Sequence, residues 1–250
     1  MPLFSIITVC YNAEGTIGRT IDSVDCQTCT DYEHLIIDGA SSDGTVALAK
    51  AKASALRRII SEPDKGIYDA MNKGIGASDG KYLIFLNAGD KFHSPDTLAA
   101  IAQAIADNDS PGIVYGQTAI VDNDGKYLGP RHLTAPGNLT LKSFADGMLV
   151  CHQAFVALRR IAGFYNTRYR FSADYDWCIG CLQHSRKNVG LTDTVLIDYL
   201  SEGVTTANHR ASLAERFRIM TYYYGFFPTL IRHIGFFVRW RRRNKQNQGK

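Results

Sequence analysis

Ile84-Phe85-Leu86-Asn87-Ala88-Gly89-Asp90 decides how the rest of this chain is read. Leu83 to Leu86 is an apolar run too short for a helix, and it predicts a fully buried strand. The run stops at Asn87, then come two small residues, then Asp90. Open α/β sheets bind ligands outside the carboxyl ends of their strands. Asn and Asp oxygens are hard donors, suited to a ribose hydroxyl or to a Mg²⁺ or Mn²⁺ carried on a diphosphate. The same residues also close strands as ordinary turns, so the neighbouring segments must decide.

Upstream, Phe4 to Cys10 is apolar and β-branched, which predicts a buried strand ending at Tyr11-Asn12. Ile17, Ile21 and Val24 follow at helical spacing. The turn between them, Tyr11 to Gly15, lacks Gly-x-Gly-x-x-Gly, which argues against a dinucleotide-dependent dehydrogenase. Glu33 to Asp38 is a second strand, and Asp38 at its carboxyl end is placed to accept hydrogen bonds from a base or ribose. Asp43-Gly44-Thr45 then leads into an Ala-rich helix to about Leu56, with Asp43 readable as a plain helix-start residue. Arg58 to Glu62 is a short third strand. In the polar stretch Pro63 to Gly74, Ile67, Ala70, Met71 and Gly74 share one helical face, while Asp69, Asn72 and Lys73 lie off it. Lys73 is open to two readings, a ligand group or part of a solvated face.

Downstream, Ser94-Pro95-Asp96 starts a helix with Leu98, Ile101, Ala102 and Ile105 inward. Gly112 to Val121 is a long strand, and Asp122-Asn123-Asp124-Gly125 turns it into a hairpin. Alternating βα units stop there, so the sheet is expected to become mixed. Met148 to Phe155 is apolar around the pair His152-Gln153. Asp174 and Asp176 precede an apolar helix that includes Trp177. At that spacing only one of the two acids readily faces a given cleft. Helix-start acids favoured by the dipole are the alternative reading. Val195 to Tyr199 is a last strand, and Ser201 to Thr206 a hydroxyl-rich loop.

The 250 residues allow one large α/β domain or two small ones. Net charge is +4, unevenly placed: residues 1–215 carry 19 Lys/Arg against 24 Asp/Glu, and beyond Glu215 there are nine Lys/Arg and no acid. A basic tail on a mildly acidic body points to a polyanionic surface. Met220 to Val238 is rich in Tyr and Phe but interrupted by Pro228, Arg232 and His233, which excludes a spanning helix. Followed by Arg239-Trp240-Arg241-Arg242-Arg243, it suits an element lying in the membrane interface. No nucleic-acid recognition motif accompanies the arginines, so nucleic acid is not expected as a partner. Met1 to Ser5 has no basic stretch before an apolar core, so no signal peptide is expected and the chain is placed in the cytosol with its six Cys reduced. Two Cys-x-x-Cys pairs, Cys26/Cys29 and Cys178/Cys181, are far apart and sit in helical stretches, which argues against a zinc site.

Taken together, Ser5 to Asn12, Asp38 to Thr45, Glu62 to Gly74 and Phe85 to Asp90 resemble family 2 inverting glycosyltransferases, nearest to the bacterial colanic-acid and capsule-type branch. The similarity runs over residues 3–205; each motif is weak alone, and their order and spacing are specific. The resemblance implies a GT-A fold: a Rossmann-like, mixed but mostly parallel α/β sheet flanked by helices. Residues 1–122 would be the nucleotide-sugar half, 123–207 the acceptor half and 208–250 a helical membrane-associating tail.

By the family pattern Thr8, Tyr11, Asn12, Asp38, Asp64, Asn72, Lys73, Asn87 and Ala88 would line the donor site, with Asp38 at the base. Asp90 would hold Mg²⁺ or Mn²⁺, and Asp174 would be the catalytic base. His152, Gln153, Asp176 and Trp177 would face the acceptor. The implied donor is a UDP-sugar before a GDP-sugar. The implied acceptor is a polyprenyl-diphosphate-linked glycan at the inner face of the cytoplasmic membrane. The chain departs from the pattern at Gly89, where a carboxylate is missing, at Ala173, where Glu usually precedes the base, and at Glu202 to Thr205, which replaces a glycine pair. Two rival functions remain: a nucleotidyltransferase, which would want a Gly-rich basic loop that Tyr11 to Gly15 is not, and an inactive membrane-bound binding or scaffold protein.

Overall fold

The computed structural model describes residues 1–201 and 209–247, so the expected loop Glu202 to Thr206 lies outside the described residues. The sheet grows from β1 (Phe4–Cys10), which is buried along its whole length. On one side β1 pairs in parallel with β2 (Tyr32–Asp38), and β2 with β3 (Arg57–Ser61). On the other side it pairs in parallel with β4 (Tyr82–Phe85). The helices α1 (Ile17–Asp25), α2 (Thr45–Ala51) and α3 (Ile67–Ala77) are the crossovers. Because the chain adds β2 to one flank of β1 and β4 to the other, a crevice opens at the carboxyl ends of β1 and β4, where such sheets bind ligands.

Beyond β4 the order continues through β8 (Phe155–Leu158), β6 (Ile113–Val121), β9 (Asn188–Leu200) and β5 (Lys91–Phe92). β8 is antiparallel to both β4 and β6, so β6 and its parallel neighbour β9 run the same way as β4. Their carboxyl ends therefore share the crevice edge. The expected hairpin is present, with β7 (Tyr127–Pro130) returning against β6. The two halves are joined by this single sheet and by one core in which Phe85, Phe144, Phe155 and Trp177 are all buried.

Three sequence expectations change. α2 stops at Ala51 rather than near Leu56. Ser54 captures the backbone there, its hydroxyl accepting from Leu56 N–H and its carbonyl from Arg57 N–H, a local competition with helix that Ser favours. β9 begins at Asn188, well before Val195, because Asn188 to Leu191 already pair with Ile113 to Gly116, and the polar Thr192 to Thr194 sit at an irregularity in the middle of that pairing. In α3 the buried face is Tyr68, Met71 and Ile75 with Ala70 and Gly74, while Ile67 is exposed.

After α4 (Thr97–Ala106) and the short α5 (Leu141–Phe144), α6 (Ala173–His184) carries both expected acids in its first turn. The tail is two helices, α7 (His209–Tyr224) and α8 (Phe226–Asn247), broken at Gly225. Among the described residues no helix is long and apolar enough to cross a membrane. The tail is not wholly a surface appendage, since Ile219 and Met220 are buried members of the main core.

Candidate active site

The loops after β1 and β2 are laced together. Asn12 N–H donates to Ser41 Oγ at 2.8 Å, Ser42 N–H to Asn12 Oδ1 at 3.0 Å, and Ala13 N–H to Thr45 Oγ1 at 2.7 Å. Asp43 serves the turn, accepting from the N–H groups of Thr45 and Glu14. Beside this lacing Tyr11 is 64% exposed. Gly39 and Asp64 sit beside its ring. A Cβ added at Gly39 would overlap the Asp64 carboxylate and lie 3.3 Å from Tyr11 Cδ2. The other Asp64 oxygen is fixed by Gly66 N–H at 2.8 Å. An aromatic face and a carboxylate thus frame a floor without side chain, a shallow cradle whose carboxylate can accept from N–H donors.

Asp38, expected at the base, lies beneath Gly39 at the end of β2. It is 1% exposed, and its two oxygens accept from the Ser41 hydroxyl, Ser41 N–H at 3.0 Å and Ser61 Oγ at 2.6 Å. Burial alone would push its carboxyl up, but the hydrogen bonds from Ser41, Ser61 and Cys10 prevail and hold it below the usual carboxylate value.

The turn after β4 has the same character. Gly89 takes φ +101°, and its N–H donates to Thr20 Oγ1 at 2.9 Å. A side chain is strained in that conformation, so the missing carboxylate at Gly89 follows from the shape of this turn. Asp90, expected to hold the metal, is buried at this turn. One oxygen accepts from Leu200 N–H at 2.7 Å, the other from the Gln153 amide, and the residue is 5% exposed. Gln153 is likewise structural, since its carbonyl accepts from Asn87 N–H at 2.7 Å and it is 1% exposed. Among the described residues no three His, Cys, Asp or Glu side chains converge as for a metal ion. At this turn the unpartnered oxygen is Asn87 Oδ1, so the residues present do not make a preformed Mg²⁺ or Mn²⁺ site. Ala88 contributes backbone, its N–H donating to Val9 O at 3.2 Å.

Burial pushes Asp90 up to about 6, against the pull of Leu200 N–H, the Gln153 amide and the Arg19 charge. A carboxyl whose folded value lies above its ordinary 3.8 stabilises the fold below about pH 4, and that contribution is lost as pH rises through about 6. We expect the urea midpoint of Asp90→Asn to vary less between pH 4 and 6 than that of the wild type. Parallel profiles over that window would show that Asp90 titrates normally.

Asp174 lies across the crevice. Its Oδ1 accepts from Tyr68 OH at 3.2 Å, and its Oδ2 is 3.7 Å from His152 Nδ1. Its side chain keeps 17% exposure. His152 is 8% exposed, its Nε2 has no partner, and burial lowers its proton affinity more than Asp174 raises it, which favours the neutral ring. Tyr68 also stacks on Tyr165 at 5.5 Å. Because Tyr68 stands at the start of α3, just after Asp64 to Gly66, the cradle and Asp174 belong to one rim.

Several residues expected at the site are used elsewhere. Thr8 is fully buried, with its hydroxyl 2.9 Å from His34 Nε2. The Asn72 amide is spent on the Tyr165 backbone, donating to its O at 2.9 Å and accepting from its N–H at 2.6 Å. Lys73 donates to Pro63 O at 2.7 Å and pairs with Glu62 at 2.9 Å. Trp177 donates to Gly163 O at 2.8 Å and stacks on Tyr165 at 5.1 Å in the core. Asp176 turns away from Asp174 and is hydrogen-bonded by Tyr223 of α7. The sequence reading missed Tyr68, although Tyr68, Met71, Asn72 and Ile75 have the spacing of one helical face.

The description Glycosyl transferase family 2 matches residues 5–162, from β1 through the strands that build the crevice. The chain belongs to glycosyl transferase family 2. This family 2 enzyme is 35% identical over 189 residues to a PGL/p-HBAD biosynthesis glycosyltransferase of Mycobacterium tuberculosis, across 73% of this chain and 71% of that one. It is 32% identical over 151 residues to the Escherichia coli UDP-Glc:alpha-D-GlcNAc-diphosphoundecaprenol beta-1,3-glucosyltransferase WfgD, across 59% of this chain and 58% of WfgD. Its fold is GT-A. S. aureus TarS 1-349 in complex with UDP-GlcNAc superposes on it with a TM-score of 0.69 at 16% identity, over 88% of this chain and 65% of that one.

Proposed function

We propose that this glycosyltransferase moves a sugar from a nucleoside-diphosphate sugar, a UDP-sugar before a GDP-sugar, to a hydroxyl of a polyprenyl-diphosphate-linked glycan, with inversion, in the building of a cell-surface polysaccharide of the colanic-acid or capsule type. The observation that carries the reading is Asp174: an acid held by Tyr68 and beside His152, on the same rim as the Tyr11–Gly39–Asp64 cradle. The nucleoside lies against Tyr11, with Asp64 accepting from the base. Asp174 takes the proton of the attacking hydroxyl as the new C1–O bond forms. The bond from C1 to the phosphate oxygen breaks on the opposite face, and the nucleoside diphosphate leaves with the electron pair. Asn87 Oδ1, buried and unpartnered, is open to a donor hydroxyl. The names of WfgD and of the TarS complex support the donor class, and that of WfgD the acceptor class. A Mg²⁺ or Mn²⁺ requirement would then belong to the donor diphosphate rather than to a cage of carboxylates.

The test is transfer of labelled sugar from UDP-glucose, UDP-GlcNAc and GDP-mannose to GlcNAc-diphosphoundecaprenol. Calorimetry with UDP and GDP, with and without Mn²⁺, accompanies it. One nucleotide should bind and one donor should transfer. Nucleotide binding without transfer or donor hydrolysis would favour the inactive binding protein.

The tail is the proposed seat on the inner face of the cytoplasmic membrane. Tyr222, Phe227, Ile231 and Ile234 are exposed on α7 and α8, and the chain beyond Glu215 is basic. We expect the protein to sediment with vesicles of phosphatidylglycerol and phosphatidylcholine but not with phosphatidylcholine alone. Removing 226–250 should abolish this, and an unchanged pellet would remove the idea.

A further inference from the structure

α6 does not cap itself. Its N-cap, Ser172, is fully buried and makes no side-chain bond to its own helix. The Ser172 hydroxyl instead lies 3.1 Å from Ser212 Oγ and donates to Ser212 O at 3.3 Å, both on α7. Just before it, Arg170 N–H and Phe171 N–H donate to separate oxygens of Glu215, each at 2.8 Å. One carboxylate of the tail thus clamps two consecutive backbone amides, bonds of the stronger, charge-assisted kind. The attachment continues outward: Tyr223 bonds Asp176, Tyr224 OH donates to Leu141 O at 2.9 Å, and Arg232 Nε is 3.4 Å from Asp146 Oδ1. Asp174 is two residues beyond the Ser172 joint, so its place in the crevice is fixed from the tail side as much as by Tyr68.

We infer that Glu215 is a positioning residue for sugar transfer, acting through the Arg170–Ser172 backbone to hold Asp174, so that the first tail helix, which leads into the exposed apolar surface of α8, also sets the catalytic geometry. This rests on Asp174 being the base. Glu215 makes its hydrogen bonds to the Arg170 and Phe171 backbone rather than to Asp174. Its loss should therefore move the chemical step and spare donor binding.

In the full-length chain, Glu215→Ala should lower kcat for transfer from the active donor by about 10²-fold, the scale of a 1 Å misplacement. The donor Kd from calorimetry should stay within about 2-fold. Glu215→Gln, which keeps one oxygen in place, should recover about 10-fold of that loss. Added to Asp174→Asn, Glu215→Ala should cost nothing further, because the group it positions is already disabled. Should the alanine variant not fold, the glutamine variant carries the same split at about 10-fold in kcat. Unchanged kcat in Glu215→Ala, donor affinity falling in step with kcat, or an additional full loss in the double variant would each overturn the inference. Normal turnover of Asp174→Asn would instead remove the base assignment beneath it.

Discussion

Asp174→Asn is expected to lower transfer by about 10²- to 10⁴-fold, the usual contribution of general-base help, while leaving nucleotide affinity unchanged. Asn keeps the shape and can still accept from Tyr68 OH through its carbonyl, but it cannot take a proton at neutral pH. The substitution separates the two halves of the site: Asp174 is bonded by Tyr68 OH, whereas Tyr11, Gly39 and Asp64 pack on one another. Tyr68→Phe should lower kcat far less, since it removes one 3.2 Å hydrogen bond and leaves the stacked ring in place. Normal turnover by Asp174→Asn would move the base elsewhere, with His152 and its unpartnered Nε2 the next group to test. Loss of nucleotide binding in the same variant would mean that Asp174 holds the fold of the rim rather than the proton.

The second large effect is on the donor side. Gly39→Ala should weaken nucleotide binding by about 10- to 100-fold, roughly 1.4–2.8 kcal/mol of binding free energy. The new methyl group occupies the space now held by the Asp64 carboxylate and crowds Tyr11. Asp64 cannot simply retreat, because its other oxygen is tied to Gly66 N–H. Both displaced groups lie at the rim rather than in the core, so the melting temperature should barely move. Calorimetry with UDP and GDP reads the first quantity and a thermal melt the second. A variant that binds as tightly as the wild type would take the nucleoside out of this cradle. Asp64→Asn separates charge from space, and it should weaken binding without the steric component.

Hydrophobic runs made the sheet legible. Phe4 to Cys10, Glu33 to Asp38 and Leu83 to Leu86 are too apolar and too short to be anything but buried strands, and their polar ends had to lie at one edge once the strands were parallel. That logic located the crevice edge, and the order of motifs gave the family. Side-chain duty was not legible. Asp38, Asn72, Gln153 and Asp90 are residue types that bind ligands when free and anchor loops when paired, and nothing local distinguishes the two states. Partners 23 to 110 positions away helped decide it: Ser61 beside the local Ser41 for Asp38, the Tyr165 backbone for Asn72, Leu200 N–H for Asp90. Tyr68 was hidden because its face of α3 is buried by Tyr165, which only the returning chain supplies.

The tail divides the same way. Its basic charge and aromatic content are properties of composition, and they determined by themselves that residues beyond Glu215 form an element unlike the body. That Glu215, the last acid of the chain, faces inward to hold the strand of backbone ahead of Asp174 was decided by tertiary structure alone. Periodicity and charge are written along one chain and can be read there. A hydrogen bond between a carboxylate and amides 44 and 45 residues away exists only once folding has brought both to the same place.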